Sequence, residues 1–319
     1  MTPASTTLVD RLRSGDPRAL ARAISTVENR QPGWSELLKA LFPHTGKARV
    51  IGLTGAPGSG KSTLVNQLAK DYRKKQQTVG IIAVDPTSPY TGGAILGDRI
   101  RMQDHHGDPG IYIRSMATRG SLGGLARATA DAATVLDASG RDLVMIETVG
   151  VGQDEVDIVR LADVTIVILV PGMGDDVQTI KAGIMEIADI FVINKSDREG
   201  AERVEREIRA MQSLAARTRN DRWTPPIVKT VATEGIGTEE LAAAIADYEI
   251  YLKKEDLVFR KNVENWRERL IEMLRDAMLE KARGQMDGAS LDRYAAEIAE
   301  HKRDPYSLVE EIVRGAERN

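Results

Sequence analysis

Residues 55–62 constrain the fold more than any other stretch of the chain. Gly55, Ala56, Pro57, Gly58, Ser59, Gly60, Lys61 and Ser62 complete the pattern G-x-x-x-x-G-K-[ST], and Thr63 follows. The run just before it, residues 48–54, is short, apolar and strand-like. A strand that enters a glycine-rich turn and leaves as a helix aims several backbone N–H groups at one point, where the helix N-terminus adds partial positive charge. Nucleotide phosphates bind such a point. Lys61 is expected at the β- and γ-phosphates, and the Ser62 hydroxyl is expected to hold Mg²⁺.

The rest of the chain is patterned to match. Seven β-rich runs, at 50–54, 79–84, 111–114, 143–146, 164–170, 190–193 and 227–231, are mostly separated by intervals of helix length. This alternation predicts βαβ units: an α/β fold with a mostly parallel, twisted sheet of about seven strands and helices on both faces. Ligands of such sheets sit at the carboxyl ends of the strands, so motifs that follow strands should share one crevice. Residues 8–41 read as two or three short helices, with Ser14 or Asp16 capping before Pro17 and a break at 31–33. After about Tyr251 the strand signals stop, and charged helical sequence runs to about 282, again over 291–299, and from Asp304-Pro305 onward. Three regions are therefore expected: an N-terminal helical segment at 1–47, a phosphate-loop domain at 48–250 and a helical appendage at 251–319.

Composition narrows the setting. Forty-four Lys and Arg against 47 Asp and Glu give a net charge of −3, which supplies no global field for nucleic acid or an anionic membrane. The longest apolar stretch, 164–171, is far short of the roughly 20 residues a membrane span needs. With no cysteine there are no disulfides, thiolate ligands or thiol nucleophiles. The first residues carry no basic and apolar leader pattern, so a cytoplasmic protein is expected, with neither nucleic acid nor membrane as partner.

The base is specified after the strand at 190–193, where Asn194, Lys195, Ser196 and Asp197 follow. Guanine presents N1–H and N2–H₂ donors on one edge, and a single carboxylate accepts both; adenine has no such pair. Asp197 is therefore the expected guanine reader, Asn194 the partner of the O6/N7 side, and the Lys195 stem a cover for the base face. Val231, Ala232 and Thr233, after the last strand run, fit a backbone loop flanking O6. Glu147-Thr-Val-Gly150 follows the strand at 142–146, where GTPases usually carry D-x-x-G, the acid serving the Mg²⁺ shell and the glycine N–H the γ-phosphate. Here the acid is Glu147, which can reach the metal directly or through water. Asp85, ending the strand run at 79–84, and Asp98 are expected to join it, mostly through water.

Taken together, the phosphate loop with Thr63, Ala83-Val-Asp-Pro-Thr-Ser88, Gly97-Asp-Arg99, Glu147-Thr-Val-Gly-Val-Gly-Gln153 and Asn194-Lys-Ser-Asp197 make the chain resemble the MeaB/ArgK family over almost its whole length. These are GTPases that accompany adenosylcobalamin-dependent acyl-CoA mutases, methylmalonyl-CoA mutase among them. The resemblance implies a GTP-hydrolysing homodimer that binds the mutase, gates cofactor loading or release, and protects or rescues the enzyme, with the helical tail as dimerisation element. It also implies an acidic metal shell of Asp85, Asp98 and Glu147, and a mobile switch at 171–181 with Asp175, Asp176 and Lys181 as its charged members. Mg²⁺ and GTP/GDP are the expected small molecules; the mutase, not this chain, would hold cobalamin. Gln153, three residues past Gly150, and Lys181 remain alternative candidates for positioning the attacking water.

Three other readings compete. A nickel-delivering GTPase would need Cys or His ligands, yet the chain has only His44, His105, His106 and His301, and adjacent helical residues such as His105 and His106 point to different faces. A P-loop kinase of a transport system would favour ATP, against Asp197. A purely interacting switch would bind GTP with hydrolysis incidental.

Overall fold

The structure is a computed structural model and describes residues 3–85, 107–117, 124–148, 161–172, 187–215, 223–284 and 288–317. Asp98, Gly150, Gln153, Asp175, Asp176, Lys181, His105 and His106 lie outside the described residues, as does the side chain of Asp85.

Seven strands form one sheet: β1 (Arg49–Gly55), β2 (Val79–Asp85), β3 (Ile111–Ala117), β4 (Leu143–Glu147), β5 (Val164–Leu169), β6 (Ile190–Asn194) and β7 (Ile227–Thr230). Their order is β3-β2-β4-β1-β5-β6-β7, and every neighbouring pair is parallel. Each of the seven expected runs is a strand. β4, β5 and β6 are buried along their whole length, as their continuous apolar composition requires in a sheet covered on both faces. β1 lies in the middle, and the chain leaves it toward β2 on one side and later toward β5 on the other.

Helices cover both faces. On one, α1 (Pro3–Arg13), α2 (Pro17–Glu28), α3 (Trp34–Leu41) and α5 (Gly124–Ala138) share a core with Ile82, Val84, Val144 and Ile146, while α6 (Ala201–Ala215) packs on Val167, Phe191 and Ile193. On the other lie α4 (Lys61–Lys74) and α7 (Thr238–Lys254), which touch each other. The N-terminal helices thus bury their apolar stripes, Leu20, Ile24 and Val27 of α2 among them, in the same core as the sheet. Of the two capping candidates Asp16 takes the role: its Oδ1 accepts from the amides of Arg18 at 2.8 Å and Ala19 at 3.2 Å, with Pro17 opening the helix. The Arg114 guanidinium on β3 grips the Glu28 carboxylate at the end of α2, which ties this helical layer to the edge of the sheet.

One device recurs at the amino ends of three strands. Asp142, Asp163 and Asp189 stand immediately before β4, β5 and β6, and each carboxylate accepts the amide of the neighbouring strand segment: Thr78 at 2.7 Å, Val50 at 2.8 Å and Thr165 at 2.9 Å. In each case the aspartate's own amide donates back to that residue's carbonyl. A side chain here extends the ladder by one rung. The Thr78 amide, ahead of its hydroxyl, holds the Asp142 carboxyl below its ordinary pKa.

The chain divides into two compact units, residues 1–255 and 256–319. The second contains α8 (Leu257–Arg283), α9 (Gly288–Ala299) and α10 (Pro305–Glu317), with Asp304 Oδ1 accepting the Ser307 amide at 2.8 Å to cap α10. Helix α8 has no buried residue. Phe259, Val263, Trp266, Leu270 and Met273 recur along it at alternating four- and three-residue spacing, and all are exposed. No described helix is long and apolar enough to cross a membrane.

Candidate functional site

The site forms where β1, β4, β6 and β7 end. β1 runs into the glycine-rich turn, the Ser59 amide closes on the Ala56 carbonyl at 3.0 Å, and α4 begins at Lys61. Gly60 adopts φ 91°, and a Cβ there would sit 2.3 Å from Asn194 Nδ2, so any side chain would push the phosphate loop off its support. Lys61 is buried at 5% exposure, and its Nζ donates to the carbonyls of Gly55 at 2.7 Å and Ala56 at 3.1 Å. Its ammonium therefore lies across the mouth of the loop. Ser62, one residue on, donates its hydroxyl to Glu147 Oε1 at 2.6 Å, and both residues are buried.

Glu147 reaches that position because β4 lies beside β1 with Leu53 opposite Glu147. The ladder continues one residue further: the Thr148 amide donates to the Leu53 carbonyl at 3.1 Å, and the Thr148 hydroxyl donates to Thr54 Oγ1 at 3.1 Å. The segment leaving β4 toward Gly150 is thus pinned beside the phosphate loop at its root. β2 flanks β4 on the other side, with Ala83 opposite Glu147, and Asp85 ends that strand.

Asn194 ends β6 and is 2% exposed. Its carboxamide, expected on the O6/N7 side of a base, is a three-way brace: Nδ2 donates to the Ser59 carbonyl at 2.8 Å, while Oδ1 accepts the Thr230 hydroxyl and the Ala232 amide, each at 3.1 Å. A primary amide has two N–H donors, so one remains for a further acceptor. Lys195 takes φ 55° and donates its Nζ to the Gly58 carbonyl at 2.8 Å, so its stem lies toward the phosphate loop. Asp197 is exposed at the turn, which the Ser196 amide anchors to the Thr230 carbonyl at 3.1 Å. Val231 pairs with Ile236 across the following loop, Val231 and Ala232 are buried, and Thr233 is exposed.

Thr63 lies in the first turn of α4, half-buried. The structure therefore brings the phosphate loop, Lys61, Ser62, Glu147, Asn194, Lys195 and the 231–233 loop together at the carboxyl ends of the strands. Thr230 was not singled out from sequence; its register opposite Asn194 is the only signal, and that is visible only once β6 and β7 are paired. Among the described residues no group of three or more His, Cys, Asp or Glu side chains converges on one point. The two closest oxygen donors, Ser62 Oγ and Glu147 Oε1, are of the type a hard divalent cation takes.

Comparison with known proteins identifies the family. The sequence pattern of the family described as "Methylmalonyl Co-A mutase-associated GTPase MeaB" matches residues 20–287. A protein of Pyrococcus abyssi named as a GTPase is 47% identical over 308 residues, covering 96% of this chain and 95% of its own. The GTPase ArgK of Escherichia coli is 38% identical over 250 residues, covering 76% of each chain. The crystal structure of a LAO/AO transport system kinase superimposes with a TM-score of 0.72 at 27% identity, covering 99% of both chains. The chain belongs to the MeaB family of P-loop GTPases.

Proposed function

We propose that this protein hydrolyses GTP to GDP and phosphate in the cytoplasm as the chaperone of an adenosylcobalamin-dependent acyl-CoA mutase of the methylmalonyl-CoA mutase type. The Asn194 brace is the observation that carries the nucleotide assignment. One buried side chain joins the phosphate loop to the end of β6 and the 231–233 loop, which supports a single pocket for the phosphates and the base. The mutase assignment rests on the family's description.

In this reading Lys61 exchanges its two carbonyl acceptors for β- and γ-phosphate oxygens, and Asp197 accepts the guanine N1–H and N2–H₂ donors. Ser62 and Glu147 would hold Mg²⁺, with Asp85 and Asp98 completing the acidic shell. When bound, that ion neutralises charge on the β- and γ-oxygens. Water attacks the γ-phosphorus in line, a new P–O bond forms, and the bond to the β–γ bridging oxygen breaks as GDP leaves. The water proton passes to the released phosphate. Lys61 and the loop amides stabilise the charge that develops, which is electrostatic work with no covalent intermediate. Gln153 or, alternatively, Lys181 is proposed to position the water, and Gly150 to contact the γ-phosphate.

The proposal predicts that adding an adenosylcobalamin-dependent acyl-CoA mutase raises GTP turnover; identical rates with and without each candidate mutase would sink the gating role. One similar protein of known structure is named as a kinase. Phosphate release from GTP without any acceptor substrate separates hydrolysis from that chemistry. We further propose a homodimer formed through the exposed apolar stripe of α8, where Phe259 is 72% and Leu270 55% exposed. Trp266→Glu is expected to shift the protein from dimer to monomer in sedimentation equilibrium; a monomeric wild-type protein would reject the assembly.

A further inference from the structure

The loop that carries the base-side amides, residues 231–237, is held from two directions. At its entry Asn194 accepts the Ala232 amide. At its exit Thr238, the first residue of α7, places its hydroxyl 2.8 Å from Asp71 Oδ2 and 3.0 Å from the Gly235 carbonyl. One hydroxyl proton faces two acceptors, and the carboxylate is the stronger. Both partners are buried, Thr238 at 2% and Asp71 at 8% exposure, while Asp71 Oδ1 accepts Lys74 Nζ at 2.7 Å. The turn between them has no slack: Gly237 adopts φ 78°, and a Cβ there would lie 2.0 Å from the Lys229 carbonyl oxygen. The neck is closed by Val231 and Ile236, which exchange backbone bonds of 3.0 and 3.3 Å.

Asp71 stands on α4, the helix whose first residues are Lys61 and Ser62. Ten residues of α-helix span about 15 Å, so one rigid rod connects the phosphate end of the pocket to the exit of the base-side loop. A carboxylate is a costly group to bury where apolar packing would fill the same space. Its position at this one junction gives it a specific task.

We propose that Asp71, acting through Thr238, is a positioning residue for guanine recognition: it fixes the 231–237 loop at a set distance from the phosphate loop, so that the loop amides meet the 6-oxo edge of the base. Neither side chain touches the nucleotide. This inference rests on the guanine-nucleotide reading above.

The test uses the full chain with GTP, ATP and 6-thio-GTP, in which sulfur, a weaker acceptor, replaces the 6-oxygen. Thr238→Val is expected to raise KM for GTP about tenfold with kcat changed by no more than about twofold, and to shrink the preference for GTP over 6-thio-GTP. Thr238→Ser, which keeps the hydroxyl, should restore both, and Asp71→Asn, which weakens the acceptor while keeping its shape, should fall between. If Thr238→Val does not fold, Asp71→Asn carries the test. Wild-type values in the variant that folds, or equal weakening of GTP and 6-thio-GTP, would overturn the inference. Wild-type protein binding ATP as tightly as GTP would instead overturn the guanine reading itself.

Discussion

Asp197→Asn is expected to lower affinity for GTP by about 10²- to 10⁴-fold while raising affinity for xanthosine triphosphate, because two charge-assisted hydrogen bonds are exchanged for a mismatch. The carboxylate offers two acceptors to the N1–H and N2–H₂ donors of guanine. Asparagine offers one acceptor and one donor, and the donor meets the guanine amino group head-on. Xanthine carries an oxygen at that position, which the new Nδ2–H can satisfy. Asp197 is exposed at the turn after β6, and the turn is anchored by the Ser196 amide on the Thr230 carbonyl, so the substitution should leave folding untouched. Titration of a fluorescent GDP analogue, competed by GTP, XTP and ATP, reads the switch directly. An Asp197→Asn protein that still prefers GTP over XTP would remove Asp197 from base recognition.

Lys61→Ala is expected to slow GTP hydrolysis by about 10²- to 10³-fold at saturating nucleotide, the range seen when one preorganised donor is taken from a developing negative charge. Its magnitude follows from where the ammonium sits: buried at the head of α4 and held by the Gly55 and Ala56 carbonyls. The group has already been desolvated and oriented, so little reorganisation is left for the reaction step. Removing it also takes a cation away from the β- and γ-phosphate oxygens, so some loss of nucleotide affinity should accompany the loss of rate. Single-turnover phosphate release after rapid mixing separates the two effects. Unchanged single-turnover rates would remove Lys61 from the hydrolysis step.

The fold was legible because fully buried parallel strands leave a plain signature. Val164 to Leu169 and Ile190 to Ile193 are unbroken apolar runs with both faces covered, and few other short elements read that way. The phosphate loop was legible for a similar reason: its chemistry depends on backbone geometry that only a fixed pattern of glycines allows. Strand order was not legible, since nothing local to β1 says that β4 and β5, both far along the chain, will flank it. Contacts made by pairing were hidden for the same cause. The bracing role of Asn194 depends on Ser59, 135 residues away, and on Thr230, 36 residues away. Asp71 and Thr238 are 167 residues apart and carry no motif. A side chain that acts through a distant neighbour has no spacing to read.

The aspartates before β4, β5 and β6 make the two rims of the sheet mechanically unlike. At the amino-end rim, ionised carboxylates clasp the amides of adjoining strands, so one strand can slide past another only by breaking charge-assisted bonds. The nucleotide crevice is on the opposite rim, where the chain continues as loops. The sheet therefore has a footing and a working edge. Movement driven at the working edge meets strands that cannot yield beneath it, and must travel outward through the loops and helices to whatever surface the protein presents.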